Sequence, residues 1–146
     1  GNAAEGAGSS GHCMAEGGKE LWEKFKDIAS KHQSMSAAEE GEIKDMMRED
    51  VKIEVHAATK TKARGAEEVV NTLKSLEASE AGEEYQTSEH EHHDKAKFST
   101  FSGDGAMCTE YELKCKHGVW KVDEIDVHKM KEEVHSNPNH KYCDKD

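Results

Sequence analysis

The chain has 146 residues, about the size of one ordinary domain, so a second full-size domain is excluded. Its 31 acidic residues outnumber 20 basic ones, a formal charge of −11, and no basic run interrupts the excess. Binding to nucleic acid through phosphates is therefore excluded, because the net field repels a polyanion. Phe, Ile, Leu and Val together make up only about 13 % of the chain, a composition shared with disordered chains, so only the order of residues argues for a fold.

Every one of those core formers lies between Leu21 and Val134. Residues 1–18, rich in Gly, Ala and Ser, read as a flexible tail, and residues 131–146 as a C-terminal tail. This leaves one domain over 19–130. No stretch is apolar enough to read as a membrane span or a signal peptide, and an exported protein would already have lost its leader.

From Glu20 to His32, Leu21, Trp22, Phe25, Ile28 and Ala29 form one stripe of an α-helix. Ser36-Ala37-Ala38-Glu39 is a capping-box pattern that starts a second, shorter helix through Ile43, Met46 and Met47. Val51, Ile53 and Val55 alternate with Lys52, Glu54 and His56, the period of a half-buried strand. A polar connection ends at Gly65, and Val69, Val70, Leu73 and Leu76 return to helical spacing. A polar strand follows over Glu83–His93, then a candidate containing Phe98 and Phe101. Ser102-Gly103-Asp104-Gly105 is a turn signal. Beyond it Met107, Thr109, Tyr111, Leu113 and Cys115 share one strand face, and Lys116-His117-Gly118 turns the chain into Val119–Val127. There Trp120 and Val122 have one parity and Ile125 and Val127 the other. A bulge at Asp123-Glu124 would bring all four to one face and bend the strand.

Two helices, a strand, a third helix and a strongly curved antiparallel sheet resemble the nuclear transport factor two-like superfamily, with its ketosteroid isomerase, polyketide cyclase and scytalone dehydratase branches. Asp50–His56, Arg64–Val70 with Leu73 behind it, and Gly118–Val127 look like the family's first strand, third helix and final strand. The resemblance covers about Lys19 to Lys129. It implies an α+β fold, a cone-shaped sheet packed against about three N-terminal helices, and a cavity that takes a small apolar ligand. It also implies a homodimer through the open sheet face, which would bury apolar surface on a chain short of core.

The isomerase branch carries a catalytic aspartate where this chain has Val55 and His56, so His56 is the one candidate base. The alternation turns it away from Val51, Ile53 and Val55, and a non-enzymatic binding module is the preferred expectation. The alternative is a cofactor-independent isomerase, dehydratase or cyclase with its base near the cone mouth. Tyr85, Tyr111 and Trp120 are the candidate ligand-pocket residues, flat apolar walls with polar tips; the bland alternative is that they fill the core. His90, His92 and Asp94 would share a strand face and are compatible with a zinc site. Residues 77–94, however, hold seven acids and no Lys or Arg, the mark of a solvated edge, so no metal or other cofactor is expected.

Four cysteines complete the inventory. Cys108 and Cys115 lie about 23 Å apart along one strand, too far for a bond. Two pairings remain: Cys13 to Cys108 with Cys115 to Cys143, or Cys13 to Cys115 with Cys108 to Cys143. Either ties the tails to the sheet and points to an oxidising, extracellular setting.

Overall fold

The structure, a computed structural model, describes residues 13–57, 60–76, 88–91, 94–101 and 107–129. Helix α1 (Ala15–Ala29) carries the first apolar stripe, with Trp22, Phe25, Ile28 and Ala29 buried. It starts five residues before the expected Glu20, so residues 15–18 belong to its first turns and not to a tail. Packing explains the extension. Gly17 and Gly18 lie against the Trp120 ring, where a Cβ on either would stand 3.2 Å from an indole carbon. Helical glycine costs about 1 kcal/mol relative to alanine, and here it lets the helix approach that ring.

A 3-10 turn (His32–Ser34) leads to helix α2 (Ala37–Asp45). Its capping box is formed: the Glu39 amide donates to Ser36 Oγ (3.1 Å) and the Ser36 amide to Glu39 Oε1 (2.9 Å). The helix stops short of Met46 and Met47. The Met46 amide closes on the Ile43 carbonyl, while the Met46 carbonyl accepts from the Val122 amide at 2.8 Å, which draws the next residue into the sheet. Strand β1 (Met47–His56) therefore begins four residues before Val51.

The polar connection before Gly65 proves to be a strand, β2 (Lys60–Arg64), antiparallel to β1 with Lys52 opposite Arg64 and His56 opposite Lys60. It is an edge strand with only Ala63 partly covered. Nothing demands apolar alternation of it, and its charges protect the edge from pairing with another chain. Gly65 then turns the chain at φ 92°, a left-handed value open to glycine. Helix α3 (Ala66–Ser75) buries Val69, Val70 and Leu73 against β1 and β2.

The remaining strands are β3 (Ser88–Glu91), β4 (Lys95–Phe101), β5 (Met107–Lys116) and β6 (Val119–Lys129). Residues 83–87 and 92–93 of the expected polar strand lie outside the described residues. His117 and Gly118, both at positive φ (55° and 79°), make the two-residue β5–β6 turn, the backbone twist favoured between antiparallel strands. The sheet runs β2-β1-β6-β5-β4-β3. The expected α+β class, a curved sheet against three helices, is present. One pairing departs from the antiparallel rule, since β1 and β6 run parallel.

The bulge sits where parity requires it. Leu113 opposes Val122 and Glu112 opposes Glu124, leaving Asp123 as the extra residue on β6. Trp120, Val122, Ile125 and Val127 are all buried in consequence.

The α2 cap is open to test. Ser36→Ala should lower stability by about 1 kcal/mol in urea titrations. The Lys31 ammonium, followed by the Ser36 amide, holds the Glu39 carboxyl below its ordinary value. A lowered carboxyl stabilises the fold at neutral pH and loses that effect as pH falls through the folded-state pKa. Glu39→Gln should therefore be less stable than the parent at neutral pH and equal to it in strong acid.

Candidate functional site

Period-two alternation divides the sheet into two chemically distinct faces. On the inner face Ile53, Ile125, Tyr111 and Phe98 stand side by side across β1, β6, β5 and β4. Helix α1 lays Trp22 and Phe25 over them. Trp22 stacks on Phe98, with ring centroids 4.6 Å apart and planes 5° from parallel. The Tyr111 ring meets Trp22 and Phe25 edge-on at 6.0 and 6.2 Å. Lys26 Nζ stands 4.8 Å from the Trp22 ring centre. Within this wall one polar atom stands out: Trp22 Nε1 is buried and has no hydrogen-bond partner.

Of the candidate pocket residues, Tyr111 joins this aromatic cluster. Trp120 lies apart from it at the start of α1, its Nε1 donating to the Met14 carbonyl at 2.9 Å. Tyr85 lies outside the described residues. Beside Trp120, its cross-strand partner Cys115 is disulfide-bonded to Cys13, with Cα atoms 6.2 Å apart. The pairing of Cys13 with Cys108 is thus not the one adopted. Cys108 is also disulfide-bonded, and the one other cysteine, Cys143, lies outside the described residues.

The outer face is polar. Lys52, Glu124, Glu112 and Lys97 form one row across β1, β6, β5 and β4. Glu54, Asp126, Glu110 and Ser99 form the next, and His56, His128 and Cys108 a third. His56 belongs here, as its alternation implied, with Nε2 3.1 Å from Glu54 Oε1 and 3.4 Å from Asp126 Oδ1. It does not face the aromatic interior. Lys52 approaches Glu124 (3.9 Å) and Lys95 approaches Glu112 (3.4 Å).

Electrostatics follow this layout. Glu54 is partly desolvated, yet Lys62 and the His56 hydrogen bond outweigh that and hold its carboxyl low. Burial pushes the Glu124 carboxyl up, against Lys52 and with Glu112, Asp126 and Asp123 adding to the rise. The Glu110 carboxylate, against burial, holds the His128 imidazole above its ordinary value.

His90 lies in β3, opposite Lys97. Asp94 is exposed at a bend before β4, and His92 lies outside the described residues. Two histidines not singled out in the sequence are buried. His128 follows Val127 on β6, one residue beyond the Val119–Val127 strand expected from the sequence, and alternation turns it to the outer face. His32 follows α1 at φ 49°, its Nδ1 3.1 Å from the Leu73 carbonyl and its Nε2 buried without a hydrogen-bond partner. No periodic signal marks that position. Among the described residues no helix is long and apolar enough to cross a membrane.

No known sequence family and no curated protein matches the chain. Solved structures do. An NTF-2 like protein of unknown function from Silicibacter pomeroyi aligns over 78 % of this chain and 93 % of its own at 9 % identity, TM-score 0.57. An ntf2-like protein with a cystatin-like fold from Novosphingobium aromaticivorans covers 86 % and 88 % at 8 % identity, TM-score 0.54. A de novo designed protein with curved β-sheet covers 79 % and 99 % at 18 % identity, also 0.54. The chain has the nuclear transport factor two-like fold. At such identities the nuclear transport factor two-like relatives supply the fold alone, so chemistry must come from the two faces.

Two expectations follow. Replacing Cys13 and Cys115 together by serine should cost about 3–5 kcal/mol in denaturant titrations, because the bond closes a loop of 102 residues in the unfolded chain. A carboxyl whose folded pKa is raised contributes most below its unfolded pKa and loses that contribution as pH rises. Glu124→Gln should therefore raise the melting temperature slightly at neutral pH, by roughly 1–2 °C, and leave it unchanged near pH 3 by the same linkage, roughly where both forms are uncharged.

Proposed function

We propose that this chain is a non-enzymatic binding module that takes a small, flat, apolar ligand carrying one hydrogen-bond acceptor on the aromatic inner face of its sheet. The observation that supports it is the buried indole N–H of Trp22, unpartnered among Phe25, Phe98 and Tyr111. An apolar wall with one polar group to fix orientation is the usual composition of a ligand site. An unmet buried donor costs about 1–3 kcal/mol, which a ligand carbonyl would recover. Since Trp22 is almost fully covered, entry of the ligand requires the rings to part.

The catalytic alternative needs a base near the cone mouth, and its one named candidate, His56, stands on the opposite face with Glu54 and Asp126. The dimer implied by the family resemblance needs an apolar patch on the open sheet face. The accessible described residues there are mostly charged, among them Lys52, Glu54, Lys97, Glu110, Glu112, Glu124 and Asp126, while Ser99, Cys108 and His128 are buried, so pairing of copies through that face is left out of the proposal. The disulfide supports an oxidising, extracellular working environment.

A fluorescent naphthyl ketone tests the inner face directly. The expected result is saturable one-to-one binding that quenches tryptophan emission, with affinity reduced about tenfold in Trp22→Phe, the loss of one hydrogen bond. No saturable binding, or equal affinity in a folded Trp22→Phe variant, would overturn the proposal.

A further inference from the structure

We propose that Glu110, Asp126 and His128, on the outer face of β5 and β6, form a site for one divalent transition-metal ion of the zinc class. Each residue brings one ligand atom, and the three atoms lie within 4.8 Å of one another. His128 Nε2 and Glu110 Oε1 are 3.6 Å apart. Two donors sharing a tetrahedral ion at about 2.0–2.1 Å stand about 3.3 Å from each other, so this edge of the triangle needs almost no adjustment.

The imidazole is the second, independent observation. His128 is only 5 % exposed, and its Nε2 is buried without a hydrogen bond. Its Nδ1 lies 3.3 Å from the Lys129 carbonyl. A histidine whose Nδ1–H points to a carbonyl presents a lone pair at Nε2, the tautomer and support found in metal-ligating histidines. Here that nitrogen faces the Glu110 carboxylate with the Asp126 carboxylate close by, lone pair against anion, an arrangement that calls for a proton or a metal ion between them.

The surrounding pattern agrees. In the neighbouring row a lysine flanks each end, with Glu124 and Glu112 between Lys52 and Lys97. In the row of Glu54, Asp126 and Glu110, Lys62 of β2 stands beside Glu54, while Asp126 and Glu110 oppose each other directly across β6 and β5, like charge to like charge. A nitrogen donor combined with two carboxylates suits zinc and its neighbours better than magnesium or calcium, which prefer oxygen alone. Three protein ligands would leave a position for water or for a donor from outside the chain.

The test uses the full chain with its disulfides intact, stripped with a chelator and titrated at mildly alkaline pH with Zn²⁺ by calorimetry and with Co²⁺ by visible absorption. One saturable equivalent is expected, with the d–d bands of a nitrogen- and oxygen-ligated cobalt ion. His128→Ala should weaken binding by ~100-fold or more, and Glu110→Gln by ~10-fold or more. Glu110→Gln keeps the side-chain shape, so it decides the matter if His128→Ala does not fold. Because other histidines bind metal loosely, a triple His90→Ala, His92→Ala, His93→Ala variant serves as control and should retain the site. Absence of a saturable equivalent, unchanged affinity in the Glu110→Gln variant or in a folded His128→Ala variant, or loss of binding in the control would each overturn the proposal.

Discussion

One inserted residue, Asp123, sets the geometry on which the sheet depends. Side chains of a strand alternate strictly, so without an insertion Trp120 and Val122 would face opposite to Ile125 and Val127. The bulge restores a common face and bends the strand at the centre of the sheet. Its cost is an acidic residue placed between two neighbouring strands and largely covered by them. Arg48 from β1 (2.9 Å) and Lys114 from β5 (3.3 Å) flank its two carboxylate oxygens. The distortion spreads to β1 as well, where four residues between Met47 and Lys52 correspond to Asp123 alone on β6. A partly buried acid held on both sides offsets its desolvation, whereas loss of either partner would leave the charge exposed to a poorly solvating site.

With Trp120 turned inward, the N-terminal end of α1 acquires its anchor. Gly17 and Gly18 bring the helix against the ring, the Met14 carbonyl receives the indole hydrogen, and Cys13 bonds the strand residue next to it. Three devices of different kinds converge within a few residues. Their concentration is intelligible from the composition. A chain with few Phe, Ile, Leu and Val recruits Trp22, Met35, Met46, Met47, Tyr111 and Cys115 into its core, and a covalent tie limits the unfolded state where burial alone is thin.

The elements that bury one face were legible in the sequence. Trp22, Phe25 and Ile28 marked α1, Val51, Ile53 and Val55 marked β1, and the parity break at Asp123 marked the bulge. What escaped was whatever depends on partners distant in the chain. The edge strand β2 buries little, so Lys60–Arg64 has no period to read. The first turns of α1 looked like linker because glycines that fit against a tryptophan a hundred residues away are, locally, only glycines. Met47 left its helical stripe because Val122 captured the preceding carbonyl. The site was less legible still. Tyr111, one of three candidate pocket residues, stands in the aromatic cluster, but Trp22, which holds the unmet donor, read as an ordinary member of a helical stripe.

His128 shows the same limit from the other side. Along β6 it has the outward parity that His56 has along β1, and the two are partners in adjacent strands. Yet His56 is partly exposed and His128 is almost completely covered. Alternation assigns a face and says nothing of what lies over that face, so burial on the outer side had no local signature. That difference separates the chemistry of two residues that the sequence treats alike. The His56 imidazole, beside two carboxylates, is reached by solvent. A covered imidazole has only its neighbours to answer its ring nitrogens, and for His128 Nε2 the neighbours are carboxylates, which call for a proton or a metal ion between them.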